Sequence, residues 1–133
     1  MRCQKGAAAV EVAIIFPLLL AFVIAIAEYG IYFLTAYETE QVAYQAARAG
    51  YIASDDKETA ANAEASRLIT ELGLSGYGPN VSVVVTPPNT PQGSYTQVTV
   101  GFNYQSVTGV SELPGIGLLF PSRIERTAAY QNF

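Results

Sequence analysis

The peptide bond between Gly6 and Ala7, with Glu11 four residues beyond it, is where residue types and spacing in this sequence describe a reaction. If that bond is cut, Ala7 becomes a new N-terminus and Glu11 the fifth residue of the shortened chain. The new ammonium and the carboxylate then lie one helical turn apart on the same face. Such a pairing would explain an otherwise costly placement. A carboxylate within an apolar membrane helix costs about 2.5–3.5 kcal/mol on lenient insertion scales, less near the helix end. Intramembrane ionisable groups therefore invite a named partner, and here spacing supplies one.

Little other chemistry is legible. The chain has no histidine, and its single cysteine, Cys3, precedes the proposed cut. There is no Gly-x-Ser-x-Gly elbow, no phosphate-binding loop and no cluster of metal ligands. The acidic run Asp55, Asp56 and Glu58 reads as helix N-terminal caps and not as a cation site. No cofactor or metal is called for, and the chain reads as the substrate of an enzyme, not an enzyme. The net charge is −4, and Arg48, Lys57, Arg67, Arg123 and Arg126 are scattered, so no basic patch invites nucleic acid.

The element that must position the cut site is the run Ala7 to Ala27, apolar apart from Glu11 and Pro17. About 20 such residues in a helix span roughly 30 Å, the thickness of bilayer hydrocarbon. Arg2 and Lys5 ahead of it predict a cytoplasmic N-terminus, with the C-terminal part crossing to the other side. Pro17 removes one helix hydrogen bond and is expected to kink or loosen the preceding turn. The competing reading is a secretory signal cleaved after Ala25-Ile26-Ala27. Its apolar core would exceed the usual 7–15 residues and would be entered by a glutamate.

The stretch Lys5-Gly6-Ala7-Ala8-Ala9-Val10-Glu11 resembles the processing site of type IV prepilin-like proteins. With Val12-Ala-Ile-Ile-Phe-Pro-Leu-Leu-Leu20 and Glu28-Tyr29-Gly30, it is similar to the TadE-like pseudopilins of tight-adherence (Flp-type) pilus systems. The resemblance is specific over residues 5–34 and only architectural beyond them. It implies that residues 1–6 are a cytoplasmic leader removed by a membrane prepilin peptidase. Gly6 would then precede the cut, Ala7 would be the new terminus, and Glu11 the assembly carboxylate. It further implies a single-pass protein of the bacterial inner membrane, with its C-terminal domain periplasmic. Partners would be the peptidase, other pilins or pseudopilins, inner-membrane pilus-assembly proteins and lipid. Cys3 is not part of the pattern.

The remaining chain, 28–133, suffices for one small extracytoplasmic domain of α+β class, pilin-like in arrangement. The anchor continues as a helix over 28–50, with Gly50 as C-cap and Arg48 in its last turn. Tyr29, Phe33, Tyr37, Tyr44 and Tyr51 form an aromatic stripe along it. That stripe is expected to pack on the chain's own sheet or to serve neighbouring subunits, and Tyr29 and Tyr32 suit a membrane interface.

A second helix covers 58–72, with Asp55 and Glu58 as a capping box. Its buried stripe is Ala61, Ala65, Leu68, Ile69 and Leu72; Glu64, Arg67 and Glu71 face water, and Gly73 ends it. Within 81–130, period-two patterns predict strands at Val81–Thr86, Tyr95–Tyr104 and Arg123–Tyr130, forming an antiparallel sheet. The linker Pro87–Ser94 is too proline-rich for a tight hairpin. The apolar segment Leu113–Phe120 is read as covering the core, lying on the membrane or docking a partner. Two functions follow: a pseudopilin or pilus-assembly component, or a monomeric signal-anchored binding or adhesion domain.

Overall fold

The computed structural model describes residues 4–86, 95–104 and 121–131. The chain divides into two compact units, Met1–Phe33 and Leu34–Phe133. Helix α1 (Gln4–Ile52) enters both. In the first unit it is the element described, and it runs unbroken through Pro17.

The second unit joins the rest of α1 to α2 (Lys57–Glu71), a short 3₁₀ turn (Leu74–Tyr77) and three strands. These are β1 (Asn80–Thr86), β2 (Tyr95–Asn103) and β3 (Arg123–Gln131), paired antiparallel in the order β1-β2-β3. The α+β class, the second helix and the three-stranded antiparallel sheet are those the sequence predicts. Val83 stands opposite Val98, Val98 opposite Ala128, and Phe102 opposite Ile124. This register puts the even-numbered residues of β2 on the inner face, because side chains alternate along a strand. Val98, Val100 and Phe102 are accordingly buried. The outer face is polar, with the Thr99 and Thr127 hydroxyls 2.9 Å apart across β2 and β3.

Small residues bring α1 close to this sheet. Val42, Ala43, Ala46 and Ala47 form its buried face and join Ala61, Ala65, Leu68 and Ile69 of α2 in one core with β2. The aromatic stripe is therefore not the buried face. Its C-terminal members do pack on the chain's own sheet: Tyr44 and Tyr51 lie 6.1 and 5.3 Å, ring to ring, from Tyr130 of β3. Phe33 and Tyr37 are exposed. An alanine face lets backbones approach closely, whereas tyrosines at the rim cover the edge of the core.

Several local expectations need correction. Gly50 does not cap α1; the helix continues to Ile52, so Arg48 is outside its last turn. Gly50 is instead buried where Lys57, Ala61 and Thr96 crowd it. The N-cap of α2 is Asp56, not Asp55, with its carboxylate accepting from the Thr59 N–H at 3.0 Å. No Asp55–Glu58 box is needed, because Thr59 occupies the third helical position and bonds Asp56 through its hydroxyl as well. Leu72 lies beyond the last turn of α2 and is exposed, and its place in the core falls to Leu74. Gly73 ends the helix as expected, at φ +71°. Arg67 bridges Glu64 and Glu71 on the water face at 2.7 and 2.6 Å. The segments Pro87–Ser94 and Leu113–Phe120 lie outside the described residues.

Candidate functional site: an unburied apolar helix with a carboxylate near its start

Every residue from Ala8 to Val23 is exposed on α1, although all but Glu11 are apolar. Val12, Ile14, Phe16, Leu18, Phe22 and Ile26 each leave more than half of their surface uncovered. The alanines, valines, isoleucines and leucines are good helix formers in an apolar medium, and a helix satisfies its own backbone polar groups there. The helix has no preferred apolar side, since its whole circumference is apolar. Water is a poor solvent for such a surface: each fully exposed large aliphatic forgoes about 1.5–3 kcal/mol of burial. Mean hydropathy reaches 2.8 in an 18-residue window. One long apolar N-terminal helix of this kind is compatible with a single-pass membrane anchor.

Gly6 and Glu11 both lie on α1, which begins at Gln4. The Gly6–Ala7 bond therefore falls in the first turns of the helix. Glu11 follows Ala7 by one turn, about 6 Å along the axis, and is exposed among apolar neighbours. The helix thus brings Gly6, Ala7 and Glu11 onto one short segment. A carboxylate there faces the partially positive helix N-terminus, which favours negative charge. Arg2 and Cys3 lie outside the described residues, as do the side chains of Lys5 and Ala7.

Further along α1, sequence reasoning passed over a buried polar group. Glu28 is fully buried, between exposed Ala27 and Tyr29. It had been read as one of several polar positions on the helix. Thr35 and Thr39 are buried as well, and the Thr39 hydroxyl donates to the Thr35 carbonyl at 2.6 Å. That internal bond satisfies the hydroxyl without a neighbour. Their signal was present as small residues at helical spacing, Thr35, Ala36, Thr39, Val42, Ala43, Ala46 and Ala47, and the larger aromatics drew attention from it.

No group of three or more His, Cys, Asp or Glu side chains among the described residues is placed to hold a metal ion. The charged groups with shifted acidities belong to α2. Hydrogen bonds from the Thr59 hydroxyl and N–H hold the Asp56 carboxyl below its ordinary range. The Arg67 guanidinium does the same for Glu64. Both are structural and distant in sequence from the Gly6–Glu11 segment.

Residues 6–48 match the family model described as TadE-like protein. No curated protein and no solved structure matches the chain significantly. The matched segment begins at Gly6 and covers the exposed apolar helix, Glu11, and most of the small-residue face.

Proposed function

Over residues 6–48 this chain is a TadE-like protein, a component associated with tight-adherence pili, and from that premise we propose that it is a minor pseudopilin or pilus-assembly component. A prepilin peptidase cuts it after Gly6, and the freed helix acts in assembly. It is the substrate in that reaction and carries no catalytic role of its own. The observation that supports this reading is the coincidence of three features. A TadE-like match starts at Gly6, the helix behind it is apolar and unburied around its circumference, and Glu11 stands one turn from Ala7.

The chain sits in the inner membrane as a single-pass protein, with Arg2 and Lys5 on the cytoplasmic side and the second unit outside the cytoplasm. Its partners are the peptidase, other pseudopilins or pilins, assembly proteins of the same membrane, and lipid. After cutting, the Ala7 ammonium and the Glu11 carboxylate neutralise each other, within one chain or between neighbours. That lowers the cost of both charges in an apolar setting.

Intact-mass measurement of the chain purified from membranes of its native host tests the proposal. The expected mass is that of a chain beginning at Ala7. A chain retaining Met1 would reduce it to a tethered envelope domain, and one beginning at Glu28 would make the apolar run a cleaved secretory signal.

A further inference from the structure

The unit Leu34–Phe133 carries a trough along α1 where α2 lies beside it. Two hollows, of about 490 and 210 Å³, follow one another along α1 and share Gln45. Buried Val42 and Leu68 lie in the first, which Leu34 also lines; Ile52 lines the second. Leu34 and Ile52 are 58% and 64% exposed, so the two ends of the trough are greasy and open. Leu34, Glu38, Gln41, Gln45, Arg48 and Ile52 recur at alternating spacings of four and three residues, which makes them one stripe facing one neighbour.

The charges of that stripe are not answered within the described residues. Glu38 is half-buried and has no hydrogen bond or ion pair among them. Arg67, the cation lining the same hollow, is already held by Glu64 and Glu71. Arg48 is exposed and likewise has neither hydrogen bond nor ion pair among the described residues. A half-buried carboxylate beside apolar surface gains more from an incoming cation than one in open water, because the local dielectric is lower.

Membrane anchoring decides what can supply the cation; this step rests on the function proposed above. Copies held in one membrane by the same N-terminal helix stand parallel and level. An in-register second copy would set Glu38 against Glu38 and Arg48 against Arg48, which disfavours self-pairing. We propose that the trough receives a parallel helix of a different single-pass protein. That helix presents a Lys or Arg level with Glu38, an acidic residue level with Arg48, and apolar side chains to Leu34 and Ile52.

A charge-reversed copy of this chain, Glu38→Lys with Arg48→Glu, is the probe. It is expressed as full chain in membranes beside a copy with native charges, each with Cys3→Ser and Gln45→Cys, and disulfide cross-links are counted. The mixed pair is expected to cross-link about fivefold or more above either like pair, as two opposed ion pairs at a partly desolvated seam would give. Leu34→Glu in both copies should abolish the cross-link. Equal yields for the three combinations, dominance of the native like pair, or no cross-link at all would each overturn the proposal. Intact mass of the same samples separates the two failures. Chains starting at Ala7 without charge preference sink the trough alone, whereas chains starting at Glu28 remove the anchor and the reading on which it rests.

Discussion

Gly50 on α1 and Thr96 on β2 approach so closely that a methyl group on Gly50 would stand 2.9 Å from the Thr96 Cγ2. The same methyl would meet the Lys57 carbonyl oxygen at 2.8 Å and the Ala61 Cβ at 2.9 Å. Thus a glycine inside a helix, ordinarily a weakness, is here what lets α1 and α2 close on the sheet. Gly50→Ala sets two effects against each other. Alanine gains roughly 1 kcal/mol of helix propensity, while overpacking against groups that cannot swing aside costs about 1–3 kcal/mol. One of the three contacts is main chain, so the steric term should win. Thermal unfolding of the full chain in detergent should show Gly50→Ala less stable than the parent; an unchanged or raised Tm would mean that the helices can separate freely.

Thr96 offers the opposite expectation. Its hydroxyl oxygen is buried and has no hydrogen-bond partner among the described residues. Leaving such a group unsatisfied costs about 1–3 kcal/mol, and an apolar replacement of the same shape removes that cost. Valine also favours a strand interior. Thr96→Val should therefore stabilise the domain by about 1 kcal/mol in chemical denaturation, whereas Thr96→Ser keeps the hydroxyl and opens a methyl-sized void. A Thr96→Val variant less stable than Thr96→Ser would show that the hydroxyl is engaged after all.

The cap of α2 gives a pH dependence with a definite sign. Hydrogen bonds from Thr59 lower the acidity constant of Asp56, and Arg67 lowers that of Glu64. A carboxyl whose folded value lies below its unfolded one contributes stability above the unfolded value, about pH 4. That contribution is lost as pH falls through the folded value. Both groups lie at the surface, so the effect is modest and reduced by salt. Helical signal followed from pH 7 to pH 2 should fall more shallowly in Asp56→Asn than in the parent. Asparagine caps comparably but does not titrate. Identical acid profiles would remove Asp56 from the acid response.

The strands and the second helix were legible because period-two and period-3.6 patterns are local, and their turn residues are decisive. Gly73, at positive φ, could be placed from type and position alone. The face that α1 buries was not legible by the same logic. Tyr44 and Tyr51 look like core residues by size, yet they contact Tyr130 from the rim, and Ala43, Ala46 and Ala47 occupy the interior. Only tertiary proximity tells a close alanine approach from an alanine-rich surface. The Asp55–Asp56 ambiguity is of another kind: either could cap, and which one does depends on where the chain turns after Ile52. The Gly6–Glu11 segment was legible as a motif, and Glu28 was not, since its burial depends on tertiary surroundings.

Glu11 bears the last expectation. If its charge is what matters after the cut, Glu11→Gln should behave as Glu11→Ala does, because glutamine keeps the size and hydrogen-bonding reach but leaves the Ala7 ammonium unanswered. Removing one member of a desolvated ion pair costs about 3–5 kcal/mol, more than enough to lower assembly tenfold. Cutting after Gly6 should continue in both variants, since the scissile bond lies four residues upstream. Intact mass therefore reports processing, and the amount of surface pilus, or of co-purified assembly partner, reports assembly. Loss of assembly in Glu11→Ala with normal assembly in Glu11→Gln would assign the role to shape and hydrogen bonding. Normal assembly in both would leave Glu11 as an exposed carboxylate that the helix end tolerates.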